Sequence, residues 1–331
     1  MHTPPPEQHL MQLTMGKFVS RSITAIANLG IADHISGPTT VDSIAAATKT
    51  NPDALYRVLR ALAAVGLFVE SEGRKFALTP ASEPLRTDHP KSMRAMCRML
   101  NSDWNWAAWG QLEHSIQTAK PAFDHVYGMP AFEWFPKHPE SSQLFGQAMS
   151  SLTTGVSHAV ANAYDFSPVK HLVDVGGSHG TLLSTIIAKF PSVRGTVFDL
   201  PHVIAEARAH LPASIGAVGG SFFDATLPKA DAYIMKSIIH DWDDASCIKI
   251  LANCRTAMEP GGRVLILEGM VSDAPEAVFT KLLDLEMLVV TQGGRERTEA
   301  EFGALLHRAG LKLTRVVRTQ SPFCVIEAHA G

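Results

Sequence analysis

The chain is poor in the features that mark secreted, metal-holding, membrane-spanning or nucleic-acid-coating proteins. Four of its 331 residues are cysteine (Cys97, Cys247, Cys254, Cys324), and no two of them form a C-x-x-C pair or a zinc-type spacing. Cys247 and Cys254 fall seven apart on a predicted helix, too far to bridge. The four therefore read as reduced thiols in a reducing compartment. No run approaches the roughly 18 apolar residues that a membrane span needs. The opening MHTPPPEQHLMQLTMGKF lacks a basic stretch followed by an apolar block, so no secretory leader is expected there and the cytoplasm is the expected location. Charged residues make up 18% and the net charge is -3, which argues against broad, nonspecific binding to nucleic acid or acidic membranes. Internal repeats and low-complexity tracts are also missing. What is present is a chain that is 46% hydrophobic and long enough for a large core and two domains.

The two domains have different grammar, with the boundary expected between residues 160 and 161. The first reads as helices with one small β-element. LMQLTMGKFVSRSITAIANLGIADHI carries apolar residues at helical spacing, with Gly30 near a break. TTVDSIAAATKTNPDALYRVLRALAAVGLFVE gives two more helices. Thr40 or Asp42 can cap the first and Asn51 the second, with Pro52 in its first turn. LFVESEGRKFALT then gives two short strands around a Glu-Gly turn, completing a winged-helix arrangement. Such a wing reads DNA or serves as a scaffold for assembly. Its second helix offers only Arg57 and Arg60 as cations, too few for a phosphate-neutralising face, so packing is the stronger reading. From Trp104 to Met149 aromatics and Met are dense; most are expected in core or interface, and a minority can line a pocket for a flat organic ligand.

From His171 onward strands and helices alternate: HLVDVG, TLLSTIIAKFP, GTVFDLP, HVIAEARAHL, ADAYIMKS, ASCIKILANCRTAM, GGRVLILEGM, two further helices, and a closing pair of strands. This specifies an α/β fold whose sheet is mostly parallel, with helices on both faces and an antiparallel hairpin at the end. HLVDVGGSHG places Asp174, Gly176, Gly177 and Gly180 where the first strand becomes a helix. Glycines there let the backbone turn sharply and let a nucleotide-like cofactor come close. The pattern is not G-x-G-x-x-G, and alone it is equally a structural turn. Asp199, about 20 residues on at the second strand's end, is placed for a ribose diol, or else for a helix cap. Together the two favour an adenosine-bearing cofactor.

At these residues the sequence resembles a family. LVDVGGSHG, FDLPHVI, VGGSFFD, LPKADAYIMKSIIHDWDD and GGRERTEAEF are similar to the plant caffeic-acid-type and bacterial natural-product O-methyltransferases, which use S-adenosylmethionine and release S-adenosylhomocysteine. The resemblance spans nearly the whole chain and implies a Rossmann-like methyltransferase domain after a helical, winged-helix-like dimerisation domain. It also implies a homodimer, an aromatic acceptor, and no metal, nucleic acid or membrane. Position by position, it implies that Asp174, Gly176, Gly177 and Ser178 approach the methionine part. Asp199 holds the ribose hydroxyls, with Leu200 beside it, and Lys236 lies near the cofactor's carboxylate. Trp242 lies beside the adenine, and Asp241 adds a contact on the cofactor side. Plant members read GGDMF where this chain reads GGSFF, so Ser221, followed by Phe222 and Phe223, stands in the adenine-contacting place. A hydroxyl there can still hydrogen-bond the exocyclic amine, without charge assistance.

His240 fills the family's general-base position. One histidine among fifteen is more often structural, but this one lies just past a strand end at the cofactor edge. A phenol of pKa near 10 is mostly protonated at neutral pH, and an imidazole of pKa about 6.5 is available there to take its proton. Glu268 and Glu296 match the two family glutamates that flank the histidine. From its residues alone, GGRERTEAEF is equally an ordinary charged loop with Thr298 capping the next helix. Phe145 and Met149 match positions that grip the acceptor, and Met287 and Thr291 match later acceptor-side positions. Plant phenylpropanoid enzymes have Asn where Thr291 stands, which makes a polycyclic or other natural-product phenol as plausible an acceptor. Two other readings compete. One is an S-adenosylmethionine-binding relative that runs hydroxylation or decarboxylation, against which the intact His240, Glu268 and Glu296 argue. The other is a winged-helix ligand sensor, against which the sparse cations of the second helix argue.

Overall fold

The computed structural model describes residues 5–274 and 277–331. The chain forms two compact units. One holds the residues up to Trp106 together with His138–Leu152; the other holds Ala107–Lys137 and Thr153–Gly331. Ala107–Lys137 belongs with the second unit because its side chains bond there. Trp109 Nε1 donates to Glu286 Oε2 at 2.6 Å, and Gln292 Nε2 donates to Asp124 Oδ2 at 2.7 Å.

The first unit contains α1 (Pro6–Thr14), α2 (Gly16–Leu29), β1 (Thr39–Thr40), α3 (Val41–Thr48), α4 (Pro52–Ala64), β2 (Phe68–Ser71), β3 (Lys75–Leu78) and α5 (Arg94–Met99). Gly30, at φ 65°, ends α2. The caps fall where the sequence offers them. The Thr40 hydroxyl accepts from Ser43 N–H at 3.3 Å and the Asn51 side chain from Ala54 N–H at 3.0 Å, each satisfying a donor that the first helical turn leaves open. β2 and β3 pair antiparallel, Val69 opposite Ala77, and β1 adds a third strand outside β3. Helix, turn, helix and hairpin close on a core of Ile26, Ile31, Ile44, Leu59 and Phe76. Arg60 of α4 lies over the Tyr56 ring, 5.3 Å from its centroid.

Two helices, α6 (Asp103–Trp109) and α10 (Pro139–Ala163), begin in the first unit and end in the second. Between them come α7 (Leu112–Thr118), α8 (Ala122–Tyr127) and α9 (Ala131–Trp134). The alternating region follows: β4 (His171–Val175), α11 (Thr181–Lys189), β5 (Arg194–Asp199), α12 (Pro201–Ala207), β6 (Ile215–Gly219), β7 (Ala230–Lys236), α13 (Asp244–Ala257) and β8 (Met258–Gly269). Then come α14 (Val278–Val290), α15 (Glu299–Arg308), β9 (Leu311–Arg318) and β10 (Phe323–Ala330).

These strands form one sheet in the order β6-β5-β4-β7-β8-β10-β9. The first five are parallel, and β10 runs antiparallel to both β8 and β9. Every residue of β4 is buried, as a strand covered on both faces must be. Val173 pairs with Thr196 on one side and Tyr233 on the other, which fixes the register of the central strands. The chain runs outward from β4 to β6, then returns to β7 on β4's other side. That reversal is a topological switch point, and open α/β sheets bind their ligands at such a point, here the carboxyl ends of β4 and β7.

Candidate active site

The residues read from the sequence as cofactor-binding and catalytic gather at that edge. After β4 the chain turns through Gly176 at φ 70°, and a side chain there would run into Ile238. A Cβ on Gly177 would stand 2.6 Å from Asp174 Cγ. A side chain at either place would have to displace its neighbour, and at Gly176 it would also have to adopt a left-handed backbone. Asp199, at the end of β5, is tied to this turn. Its Oδ2 accepts from Ser178 N–H at 2.8 Å and its Oδ1 from Leu200 N–H at 2.7 Å. Leu200, not Asp199, occupies the N-cap of α12, and no side chain caps that helix. Burial pushes the Asp199 carboxyl up, while the two N–H groups hold it down.

Asp174 is buried and its Oδ2 has no hydrogen-bond partner. Burial, with the Asp199 charge, pushes its pKa up to about 7 against the pull of Lys236. Lys236, last in β7, is pushed down by burial, with Asp174, Asp241 and Glu268 acting to keep it charged. Its Nζ donates to Ser237 Oγ at 3.2 Å.

His240 lies in a single 3-10 turn, Ile239–Asp241, between β7 and α13. Its backbone N–H donates to Glu268 Oε1 at 3.0 Å, and its Nδ1 lies 2.6 Å from Glu296 Oε1. Nε2 faces Asp241 Oδ1 at 3.6 Å, longer than a hydrogen bond. Burial opposes the imidazolium, but Asp241, Glu296 and Glu268 outweigh it and push the His240 pKa up to about 9. Burial likewise raises Glu268 to about 7 and Asp241 to about 6, each opposed by His240. Glu268 Oε2 and Glu296 Oε2 are buried without partners. The run holding Glu296 does also cap a helix. Thr298 accepts from Glu301 N–H at 3.2 Å and Glu301 Oε2 from Thr298 N–H at 2.8 Å, a reciprocal capping box.

Trp242 stands in an aromatic group. Phe223 meets it edge-on with ring centroids 4.8 Å apart, Phe222 does so at 6.0 Å, and Phe132 of α9 stacks on it at 5.9 Å. Ser221 Oγ accepts from Phe223 N–H at 3.2 Å, within its own turn. Of the residues expected to meet the acceptor, Met287 and Thr291 are buried at the end of α14, and the Thr291 hydroxyl donates to the Met287 carbonyl at 2.8 Å. Phe145 and Met149 lie one helical turn apart on α10, within the first unit. Among the described residues, no group of three or more His, Cys, Asp or Glu is arranged to hold a metal ion, and no helix is long and apolar enough to cross a membrane.

Sequence reasoning did not single out Phe132, Asp284 or Arg297 for this edge. Asp284 Oδ1 accepts from Glu296 N–H at 2.8 Å, and Arg297 is completely buried beside Glu296.

The O-methyltransferase domain family matches residues 109–312, and the O-methyltransferase dimerisation domain family matches residues 11–88. The chain belongs to the O-methyltransferases that use S-adenosylmethionine. A phenazine O-methyltransferase, PhzM, of Lysobacter antibioticus is 39% identical over 326 residues, 97% of this chain and 95% of that protein. CalO1, a methyltransferase in calicheamicin biosynthesis solved with S-adenosylhomocysteine, superposes with a TM-score of 0.89 at 33% identity, covering 99% of this methyltransferase and 100% of CalO1. NcsB1, from neocarzinostatin biosynthesis, was solved with S-adenosylmethionine and 2-hydroxy-5-methyl naphthoic acid. It superposes with a TM-score of 0.77 at 34% identity, over 94% of this methyltransferase and 96% of NcsB1.

Proposed function

We propose that this enzyme methylates a hydroxyl of an aromatic natural product, with His240 taking the hydroxyl's proton. The observation that carries the reading is the 2.6 Å bond from His240 Nδ1 to the wholly buried Glu296 carboxylate, at the carboxyl edge of the sheet. A carboxylate on Nδ1 fixes the tautomer that leaves Nε2 free to accept, and stabilises the imidazolium that results. Glu268 holds the histidine's backbone N–H, so the ring cannot drift with its turn.

The same edge fits S-adenosylmethionine. The turn at Gly176 and Gly177 has no room for a side chain, and Asp174 Oδ2 is an unpaired acceptor suited to an ammonium. Asp199 keeps lone pairs for ribose hydroxyls, and Phe222, Phe223 and Trp242 offer apolar faces for an adenine, with Ser221 beside them. Lys236 offers a cation for the carboxylate, and Asp241 adds negative charge. S-adenosylmethionine supplies an electrophilic methyl on a sulfonium, a leaving group that needs no acid. The net negative character of the cluster favours a cation there, and a cation beside His240 lowers its pKa toward neutrality, where the ring can act as a base. With the cofactor bound, His240 Nε2 would take the hydroxyl proton as S-adenosylhomocysteine is released from the transferred methyl, and the imidazolium would return that proton to solvent. Met287 and Thr291, which share the second unit with His240, are assigned to the acceptor.

The relatives named above, a phenazine enzyme and one bound to a naphthoic acid, support a fused aromatic acceptor. We also assign the enzyme to the cytoplasm, where its four unpaired thiols stay reduced, and to a homodimer built on the first unit. Incubation with methyl-labelled S-adenosylmethionine and a panel of phenols tests the reading. Label is expected on an aromatic oxygen of a fused-ring phenol; label confined to nitrogen or carbon contradicts it.

A further inference from the structure

We propose that Arg297 is a positioning residue that sets the orientation of the His240 ring. The inference rests on His240 being the base. Arg297 is among the largest fully buried side chains of the described residues, and it sits beside Glu296 in the chain. Its Nη1 donates to the Ile239 carbonyl at 3.1 Å and to the Arg295 carbonyl at 3.2 Å. Its Nη2 donates to the Trp242 carbonyl at 3.1 Å and to Asp244 Oδ1 at 2.9 Å. Ile239 and Trp242 bracket His240 and Asp241, so one guanidinium grips both ends of the turn that carries the base.

Besides Arg297, that turn is held by Glu268, which accepts from the His240 N–H at 3.0 Å, and by the Cys247 thiol, which donates to the Ile239 carbonyl at 3.2 Å and the Trp242 carbonyl at 3.4 Å. It is a lone 3-10 turn without a side-chain cap, its own bonds are long (Asp241 N–H to Ile238 O at 3.2 Å, Trp242 N–H to Ile239 O at 3.3 Å), and Ser237 enters it at φ 53°. A left-handed residue other than glycine persists only where its surroundings over-determine it. The Ser237 N–H is held by the Leu267 carbonyl of β8 at 3.2 Å, and the loop at 291–297 packs on the residues that follow. Gly294 lets it press against the His240 carbonyl, where a Cβ would meet that oxygen and stand 2.8 Å from Asp241 C. Glu296 is fixed in turn by Asp284, so Glu296 and Arg297 reach the same turn from consecutive positions of one anchored strand of chain.

A merely structural role accounts for less. Asp244, the carboxylate paired with Arg297, is partly exposed and shared with Arg295 and Arg308. Burying a cation for that one bond is costly beside an apolar filler. Reaching both of these carbonyls, the Arg295 carbonyl and Asp244 at once takes a planar fork with donors pointing in separate directions, which arginine provides and lysine does not.

The test compares Arg297→Lys, His240→Ala and the double variant. Arg297→Lys is expected to lower kcat by about 10- to 100-fold on an ordinary phenol, with cofactor affinity by calorimetry unchanged and the loss shrinking for acidic phenols. The double variant should be within about threefold of His240→Ala alone, because both changes remove one function. A far-downfield proton resonance from the His240–Glu296 bond, present in the ligand-free enzyme, should broaden or vanish in Arg297→Lys. Should that variant fail to fold, Asp244→Asn, which leaves the fork in place and strips its carboxylate, carries the same comparison with a smaller loss. Multiplicative losses in the double variant, or an unaltered resonance, overturn the proposal. A His240→Ala enzyme as fast as wild type overturns instead the reading on which it rests.

Discussion

Asp174, Asp199, Asp241 and Glu268 are raised by being denied water, and His240 is raised by the acids around it. Asp241, Asp174, Glu268 and His240 stand at about 6, 7, 7 and 9, all above their ordinary values. Raised folded-state values mean that the folded protein binds more protons than the unfolded chain across this range. The slope of stability with pH is then negative: the stabilisation is full below the ordinary values and is lost as pH rises through 6 to 9. Ligand-free enzyme should melt at falling temperature from pH 6 to pH 9, and S-adenosylmethionine, bringing positive charge, should stabilise it most at the alkaline end. Differential scanning fluorimetry with and without the cofactor checks both; a flat or rising profile without cofactor contradicts the account. At this scale Asp174 and Asp199 stood out because they lie at strand ends that alternation makes visible, and His240 because it follows soon after β7. The Glu296–His240 bond joins residues 56 apart and could be placed only by resemblance. Arg297 stayed hidden because RER reads as an exposed charged run, whereas the fold buries that arginine entirely.

Among the elements, the glycine turn after β4 carries the most constraint for its length. Gly176→Ala meets two penalties, a left-handed φ of 70° and a collision with Ile238. The first alone costs about 1–2 kcal/mol, and the second moves the residue next to the His240 turn. The variant should lose at least that much stability in a urea melt and bind S-adenosylmethionine more weakly by calorimetry. Wild-type affinity would mean that the turn does not face the cofactor. The strands of the second unit were legible wherever apolar runs were unbroken. β6 was not, since two of its five residues, Gly216 and Gly219, are glycine and the remainder are too few to show alternation. The N-caps of α3 and α4 were legible because Thr40 and Asn51 are local signals that tertiary packing did not override.

For the molecule as a whole, the aromatic density of 104–149 was plain, but composition could not show that Ala107–Lys137 packs with the methyltransferase unit. The side-chain bonds of Trp109 and Asp124 decide that, and neither has a sequence signature. The first unit leaves apolar surface uncovered. α1 buries none of its residues, and Leu10, Met11, Leu13, Met15 and Phe18 are all exposed, Leu10 by 67%. So many large apolar side chains in one short stretch exceed what a soluble monomer usually shows. Residues 11–88 match the dimerisation domain, so a second copy is the natural cover, through a two-fold interface. Multi-angle light scattering at micromolar concentration should give twice the 35.8 kDa chain mass, and Leu10→Lys with Phe18→Lys should shift it toward the monomer. A wild-type monomer would remove the dimer from the account.

The central claim is that His240 takes the acceptor's proton and leaves the cofactor to its neighbours. It is tested most directly by the rate of His240→Ala across phenols of graded pKa, at fixed pH and saturating S-adenosylmethionine. Loss of a general base costs about 10²–10⁴ in rate where the acceptor is un-ionised. The predicted result is a loss of that size for ordinary phenols, shrinking steadily as acceptor pKa falls below the assay pH, with cofactor affinity nearly intact. A variant within a few-fold of wild type on an ordinary phenol, or one equally impaired on acidic and ordinary phenols, contradicts it.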